Sequence, residues 1–227
     1  MTIPSNGCYT TFRCDITRAD LIAHYNRLVQ TSQKLSIEVN FKLADLQKIV
    51  ENATEAEVVI IKVINTCGTL NVEYRDYHEQ KTAKLKSISK PQWWTNLKLY
   101  PNVKQLDLLK QAQEQDGVDD YLLVADHQVL ETVIANIFYV KNNILYTPKL
   151  NESILPGTTR KRLLEKFDVR QTTISLVDIY NADFVFICNA VRGIVVVSQI
   201  DEQLYDISDK VKLQVAEYQR ILNRKVI

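Results

Sequence analysis

Residues 130–160, LETVIANIFYVKNNILYTPKLNESILPGTTR, constrain the fold more than any other stretch. One carboxylate, Glu131, stands in a run that is otherwise apolar apart from Thr132 and Asn136. A carboxylate in such surroundings must be paired or it takes up a proton. The chain then reverses over Lys141-Asn142-Asn143, which predicts a hairpin of residues 137–140 and 144–147. Pro156-Gly157-Thr158-Thr159 shapes a turn opening into a helix that runs through about Phe167. Hydroxyls and backbone N–H groups at a helix mouth suit an anion, because the donors and the dipole act together. Each feature also has a plain reading: a threonine-capped helix start, and a strand-end glutamate facing solvent. Asn136 is either a turn residue or a holder of Glu131.

The remaining chain alternates short strands with amphipathic helices. GCYTTFR, residues 7–13, predicts a strand after the Asn6-Gly7 turn. Asp20 is a candidate N-cap for a helix with Leu21, Ile22, Leu28, Val29 and Leu35 inward, and residues 40–53 predict a second helix. VVIIKVIN, residues 58–65, is a buried strand that turns at Thr66-Cys67-Gly68 into residues 69–74. Polar Asp76–Lys81 interrupts this pattern. The expected division is a small N-terminal α+β domain over 1–76, a linker at 77–81 and a larger α+β domain over 82–227. In the second part, strands are expected at 83–89, 121–125, 129–135, 184–188 and 194–197, with helices at 101–115 and 208–223. Strands and hairpins mixed with helices argue an α+β fold in two lobes rather than a doubly wound parallel sheet.

Composition excludes several classes. At 46% hydrophobic and 24% charged residues over 227 positions, the chain can build a substantial core. A net charge of +1 gives no general attraction for nucleic acid or an anionic membrane. The longest apolar runs, 58–64 and 184–197, are interrupted by Lys62 and by Asn189 and Arg192, and fall short of a membrane span. Cys8, Cys14, Cys67 and Cys188 form no C-x-x-C pair, and with three histidines they make no metal-spaced cluster, so no zinc site is expected. Reduced thiols, and an N-terminus without a basic and apolar leader, predict a cytoplasmic protein.

A reactive amine would complete the grip. Lys98 in NLKLYPN stands near Trp93, Trp94 and Tyr100 in sequence. Imine-forming lysines work from partly apolar pockets. A surface lysine is the plain reading, and Lys90 and Lys104 are competitors. Arg27 in AHYNRL could hold a phosphate or lie on a helix surface; His24, one turn earlier, could hold that arginine.

Taken together, GCYTTFR, HYNRL, NLKLYPN, LETVIANIF with the following YTP, ILPGTTR and ICNAVRG resemble the class IV aminotransferase family, which uses pyridoxal 5′-phosphate (PLP). Their order and spacing match it over roughly residues 7–200. The resemblance implies a two-lobed PLP fold of type IV, like D-amino acid aminotransferase, with the cofactor between the lobes and a homodimeric assembly. It implies that Lys98 forms the Schiff base and moves protons, and that Glu131 pairs with the pyridine nitrogen. Asn136 supports Glu131; Arg27, Thr158–Thr159 and the Asn189–Ala190 turn hold the phosphate. Tyr9, Thr10 and Arg192 are candidates to face a small amino substrate. GCYTTFR and ICNAVRG are most similar to the aminodeoxychorismate lyases of the family, which release p-aminobenzoate and pyruvate in folate biosynthesis. Transaminases of branched-chain or D-amino acids are the alternative, and a non-catalytic PLP-fold binding protein is a further one. The family's Arg/Gly-rich loop after VVIIKVI is here cut to Asn65-Thr66-Cys67-Gly68.

Overall fold

A computed structural model describes residues 6–53 and 58–221. The expected readings at residues 1–5, 54–57 and 222–227 lie outside these. The first half carries β1 (Gly7–Arg13), α1 (Arg18–Lys34), α2 (Leu43–Glu51), β2 (Val59–Thr66), β3 (Thr69–Asp76), β4 (Thr82–Ser89), β5 (Leu99–Tyr100) and α3 (Val103–Glu114). Then come β6 (Asp120–Ala125), β7 (Gln128–Thr132), β8 (Asn136–Lys141), β9 (Ile144–Pro148), α4 (Thr158–Lys166), β10 (Val169–Thr172) and α5 (Leu176–Tyr180). The chain finishes with β11 (Phe184–Asn189), β12 (Gly193–Ile200), β13 (Gln203–Leu204) and α6 (Asp209–Ile221). The fold is α+β, in two compact units, each built on its own sheet.

The first unit holds the described residues up to His78 together with Leu97–Asn102. Its four-stranded sheet has the order β3-β2-β1-β5. Strands β2 and β3 close over a two-residue turn in which Cys67 and Gly68 both have positive φ, +50° and +82°. That geometry matches the right-handed strand twist and favours glycine at its second position. Leu97–Asn102 lies beyond the expected linker, yet β5 returns to pair antiparallel with β1 at Gly7↔Tyr100 and Cys8↔Leu99. Alternation along β1 sends Cys8, Thr10 and Phe12 to one face, against Leu28, Ser32 and His24 of α1. Helix α1 begins at Arg18, not Asp20. Thr17 is its cap, accepting from the Asp20 N–H at 3.2 Å and donating to Asp20 Oδ2 at 2.7 Å. Thr17-Arg18-Ala19-Asp20 is thus a Thr-x-x-acid start, with Asp20 at the third helical position.

The second unit spans Glu79–Asn96 and the described residues from Val103 onward. Its sheet runs β10-β9-β8-β11-β12-β4-β6-β7, with β13 on β12. Strand β4 is parallel to both neighbours, and the β8–β9 and β11–β12 pairs are antiparallel hairpins. The β8–β9 turn uses Asn142 and Asn143 at positive φ, as its sequence predicts. One core layer stacks Phe138 on Phe186 at 5.2 Å and seats Leu163 of α4 with Val211, Val215 and Tyr218 of α6. A second gathers Leu85, Leu122, Ile137, Val185 and Val197, and a third packs α3 through Ala112 on Tyr121, Leu123 and Leu130. Strands β5, β10 and β13 and helix α5 are additions to the sequence reading. The strand expected over 129–135 stops at Thr132. There Thr132 and Ala135 bond to each other through backbone and hydroxyl groups, and the chain reverses into β8.

Candidate active site

The reversal at Thr132–Ala135 builds the acidic part of the site. It sets Glu131, at the end of β7, beside Asn136, at the start of β8. Asn136 Nδ2 donates to Glu131 Oε2 at 3.1 Å and to the Leu155 carbonyl at 3.0 Å. The Leu155 N–H donates to Glu131 Oε1 at 3.1 Å. Both carboxylate oxygens are therefore held, and only 3% of the residue is exposed. A buried anion needs such donors to remain charged. The same contacts tie the carboxylate to the mouth of α4. Gly157 caps that helix, and a Cβ there would overlap Asn136 Oδ1, so only glycine lets the turn lie against the amide.

Thr158, Thr159 and Arg160 form the buried first turn of α4. Their backbone N–H groups lie at the positive end of the helix. Arg160 donates to the Pro148 carbonyl at 2.8 Å and to Gln171 Oε1 at 3.1 Å, bracing the turn from behind. The Asn189–Ala190 turn joins the same network. Asn189 Oδ1 accepts from the N–H groups of Val191 and Arg192 at 3.0 and 2.8 Å, and its Nδ2 donates to the Ile134 carbonyl at 3.2 Å. Arg192 Nη1 is buried without a hydrogen-bond partner.

Asp120, which the sequence reading does not single out, joins this part of the site. It is fully buried and accepts from the N–H groups of Tyr121, Val133 and Ile134 at 2.8, 3.1 and 3.3 Å. It thereby fixes the reversal that presents Glu131. Burial pushes its carboxyl up to about 6, against the pull of hydrogen bonds from Thr132 and the backbone and of the Arg192 charge. The signal for it was an acidic residue directly before an apolar strand.

In the first unit, pairing of β1 with β5 places Lys98 opposite Tyr9, whose N–H donates to the Lys98 carbonyl at 2.9 Å. Lys98 Nζ lies 5.6 Å from the centre of the Tyr9 ring. The aromatic beside Lys98 is therefore one from β1. Trp93 and Trp94 belong to the second unit, where they pack on each other and Trp94 donates to the Ser153 carbonyl. Of the competitors, Lys104 is exposed with its ammonium over Trp93. Lys90 is half-buried and its N–H donates to the Val124 carbonyl in the second unit.

Thr10, His24 and Arg27 form a separate knot. Arg27 donates to Thr10 Oγ1 at 3.0 Å, and Thr10 Oγ1 meets His24 Nδ1 at 2.6 Å. Arg27 Nη2 also lies 3.4 Å from Nδ1, and a guanidinium can only donate, so Nδ1 is the acceptor, the Thr10 hydroxyl donates to it, and His24 is neutral with its hydrogen on Nε2. Burial, followed by the Arg27 charge, drives the His24 pKa well below its ordinary value. Burial also pulls Arg27 down to about 10, and its Nε is shielded without a hydrogen-bond partner. Thr10, expected to face substrate, is fully buried on the α1 side of the sheet; alternation puts Thr11 on the face of Tyr9.

Among the described residues no group of histidine, cysteine and carboxylate side chains could hold a metal ion, and no helix is long and apolar enough to cross a membrane. All four cysteines are free thiols.

The family model for amino-transferase class IV matches residues 7–200. A Methanocaldococcus jannaschii protein with a provisional branched-chain-amino-acid aminotransferase name is 36% identical over 131 residues, 50% of this chain and 46% of that one. Aminodeoxychorismate lyase of Vibrio harveyi is 35% identical over 95 residues, 38% of this chain and 35% of that one. These matches span less than half the length of either relative. Among solved structures, an aminotransferase of Brucella abortus bound to PLP superposes with a TM-score of 0.80 at 20% identity, covering 95% of this chain and 89% of that one.

Proposed function

The chain belongs to the class IV aminotransferase family, and from that premise we propose that it binds PLP and acts as an aminodeoxychorismate lyase, converting 4-amino-4-deoxychorismate to p-aminobenzoate and pyruvate. The observation that carries the cofactor assignment is the Glu131 carboxylate, buried yet held through both oxygens by Asn136 and the Leu155 N–H. A fixed buried anion suits the N–H of a protonated pyridine ring. The other donors fit a phosphate: the shielded Nε of Arg27, the first turn of α4 at Thr158–Thr159, and the Asn189–Ala190 turn. Lys98 supplies the primary amine for the aldehyde carbon.

When bound, PLP supplies an electron sink for the carbanion formed next to the substrate nitrogen. Glu131 keeps the proton on the ring nitrogen. The Lys98 amine would be the base that takes the proton from the substrate carbon bearing the amine. Loss of that proton together with the enolpyruvyl group, which takes up a proton and leaves as pyruvate, would make the substrate ring aromatic, so one substrate would become p-aminobenzoate and pyruvate without amino transfer. Asp120 and Asn136 hold Glu131 in place, and Tyr9 lies beside the amine. Similarity to the Vibrio harveyi lyase and the GCYTTFR opening strand support the lyase reading. The Methanocaldococcus jannaschii relative favours the second reading, an aminotransferase in which Lys98 would again be the group that moves the proton. The proposal includes a homodimer in a reducing cytoplasm, checked by the mass of the protein in solution.

The purified protein with PLP should absorb visible light, and borohydride should fix the chromophore to the peptide containing Lys98. Fixation at Lys90 or Lys104 would move the assignment, and none at all would sink it. Aminodeoxychorismate should yield pyruvate and p-aminobenzoate in equal amounts. Glutamate formed from 2-oxoglutarate and leucine or D-alanine, with no pyruvate release, would replace the lyase with the aminotransferase.

A further inference from the structure

The sequence reading expects Thr10 to face substrate, yet its hydroxyl lies in the core between β1 and α1, against His24 and Arg27. His24 and Arg27 stand three residues apart on α1, so their side chains share one helix face. Alternation along β1 turns Thr10 towards that face. Thr10 and His24 are both 0% exposed, and the Phe12 ring meets the His24 ring edge-on at 5.1 Å. Thr31 Oγ1 donates to the Arg27 carbonyl at 2.8 Å and pins the backbone from which the arginine extends.

Folding alone does not call for a hydroxyl and an imidazole here. Replacing both partners of a buried hydrogen bond by apolar groups of the same shape is nearly neutral for stability. What the pair does is select one orientation for Arg27. The guanidinium carries five N–H donors in a rigid plane. Its Nη2 lies 3.0 Å from Thr10 Oγ1 and 3.4 Å from His24 Nδ1, while its Nε is buried without a hydrogen-bond partner. The Thr10 proton is committed to Nδ1 at 2.6 Å, which leaves the hydroxyl lone pairs for Arg27. Threonine is stiff about χ1, and His24 fixes the rotation of its hydroxyl, so the acceptor that meets Nη2 is itself fixed. A planar cation gripped at one nitrogen has its other donors aimed. An arginine normally loses rotamer freedom when it closes on an anion, and here part of that ordering is complete before the anion arrives.

We propose that Thr10 and His24 are positioning residues that hold the Arg27 guanidinium in the orientation that receives the cofactor phosphate. This rests on the reading of Arg27 as a phosphate holder. Their part is orientation alone, and no bond is made or broken by either.

The test is equilibrium titration of the apoprotein with PLP and with pyridoxal, which lacks the phosphate. It compares wild type with T10V, T10S, H24L, R27Q and the T10V/R27Q double variant. T10V keeps the shape of threonine without the hydroxyl, and should weaken PLP about fivefold but pyridoxal by less than about twofold. H24L should act in the same direction, and T10S, which restores the hydroxyl, should bind both as wild type does. In the R27Q background T10V should weaken PLP by less than about twofold, because the group that Thr10 orients is gone. If R27Q weakens PLP while T10V and H24L bind it as tightly as wild type, Arg27 orients itself and the inference is overturned. Equal losses of PLP and pyridoxal, a T10S variant no better than T10V, or the full T10V loss in both backgrounds also overturn it, as marks of a disturbed core. So does a fall in Tm for T10V and H24L with the ratio of PLP to pyridoxal affinity unchanged. An R27Q protein that keeps the wild-type ratio removes Arg27 from the phosphate, and the inference falls with that underlying reading.

Discussion

Two buried charges, one in each unit, are treated in opposite ways. In the second, Glu131 is held: each oxygen accepts a hydrogen bond, the Asn136 amide donates also to the Leu155 carbonyl, and lone pairs remain for a further donor. In the first, Arg27 is shielded but incomplete, with a neutral histidine and a hydroxyl as neighbours and no partner on Nε. A buried donor left unmade costs on the order of 1–3 kcal/mol, so the folded chain gains nothing by leaving it so. The anion is already fixed in place, whereas the cation is still owed an acceptor. That difference separates a group that sets the protonation of a bound ring from one that takes hold of an incoming anion.

The sharpest way to break this comparison is to remove the charge that is already fixed. Glu131→Gln keeps the shape and one acceptor oxygen but turns the other into a donor facing the Leu155 N–H or the Asn136 amide. On the proposed reading PLP stays bound, because the phosphate donors are untouched, while kcat falls by about 100-fold as the ring nitrogen loses its counter-charge. Steady-state rates and the visible spectrum of the reconstituted variant measure both. An unchanged kcat would remove Glu131 from the chemistry and leave it as scaffold.

Arg27→Gln attacks the incomplete side and should give the converse. Loss of one charged donor set should weaken PLP about tenfold to thirtyfold, with kcat at saturating PLP much less affected. Equilibrium titration of the apoprotein with PLP reads this directly. Equal loss of kcat in both variants would mean that the two regions do not divide the work as their hydrogen bonding suggests.

How much of this was legible beforehand depends on the range of the interaction. The hairpin at Asn142–Asn143 and the helix after Gly157 are set by local backbone preferences, and the sequence pattern places both. Thr17 as the cap of α1 was also legible, in the Thr-x-x-Asp spacing, but Asp20 draws attention because it too is a capping type. Strand β5 was not legible, since two residues carry no period and Leu99–Tyr100 becomes a strand only by pairing with β1. The stop at Thr132 was hidden for a similar reason. The apolar run continues through Val133 and Ile134, and what ends the strand is Asp120, thirteen residues away from Val133, gathering their N–H groups. Lys62 and Asp120 each appear as a charge inside or beside an apolar strand, which marks a buried group without saying what it meets.

The smallest expected effect is on stability, and acid sets the two units against each other. His24 in the first unit has a pKa held well below the unfolded value of about 6.5. Below that pH the unfolded chain binds a proton that the native one refuses. Stability is therefore complete above about pH 6.5 and is lost as the pH falls, by at most about 1.4 kcal/mol per unit. Asp120 in the second unit has the opposite sign, because burial raises its carboxyl from 3.8 to about 6. Between those values the native state binds the extra proton, so acidification from pH 6 towards 4 stabilises by up to a similar slope. The wild-type contributions of these two groups should nearly cancel between about pH 6 and 4.5. Asp120→Asn removes the stabilising half and should make urea midpoints fall more steeply with acid than in wild type. His24→Asn removes the destabilising half and should flatten or reverse the fall. His24 meets Thr10, Phe12 and Arg27, and Asp120 meets Thr132, the strand amides and Arg192. Parallel pH profiles for both variants and the wild type would show that neither group carries the linkage, and that the contrast between the units lies in ligand binding alone.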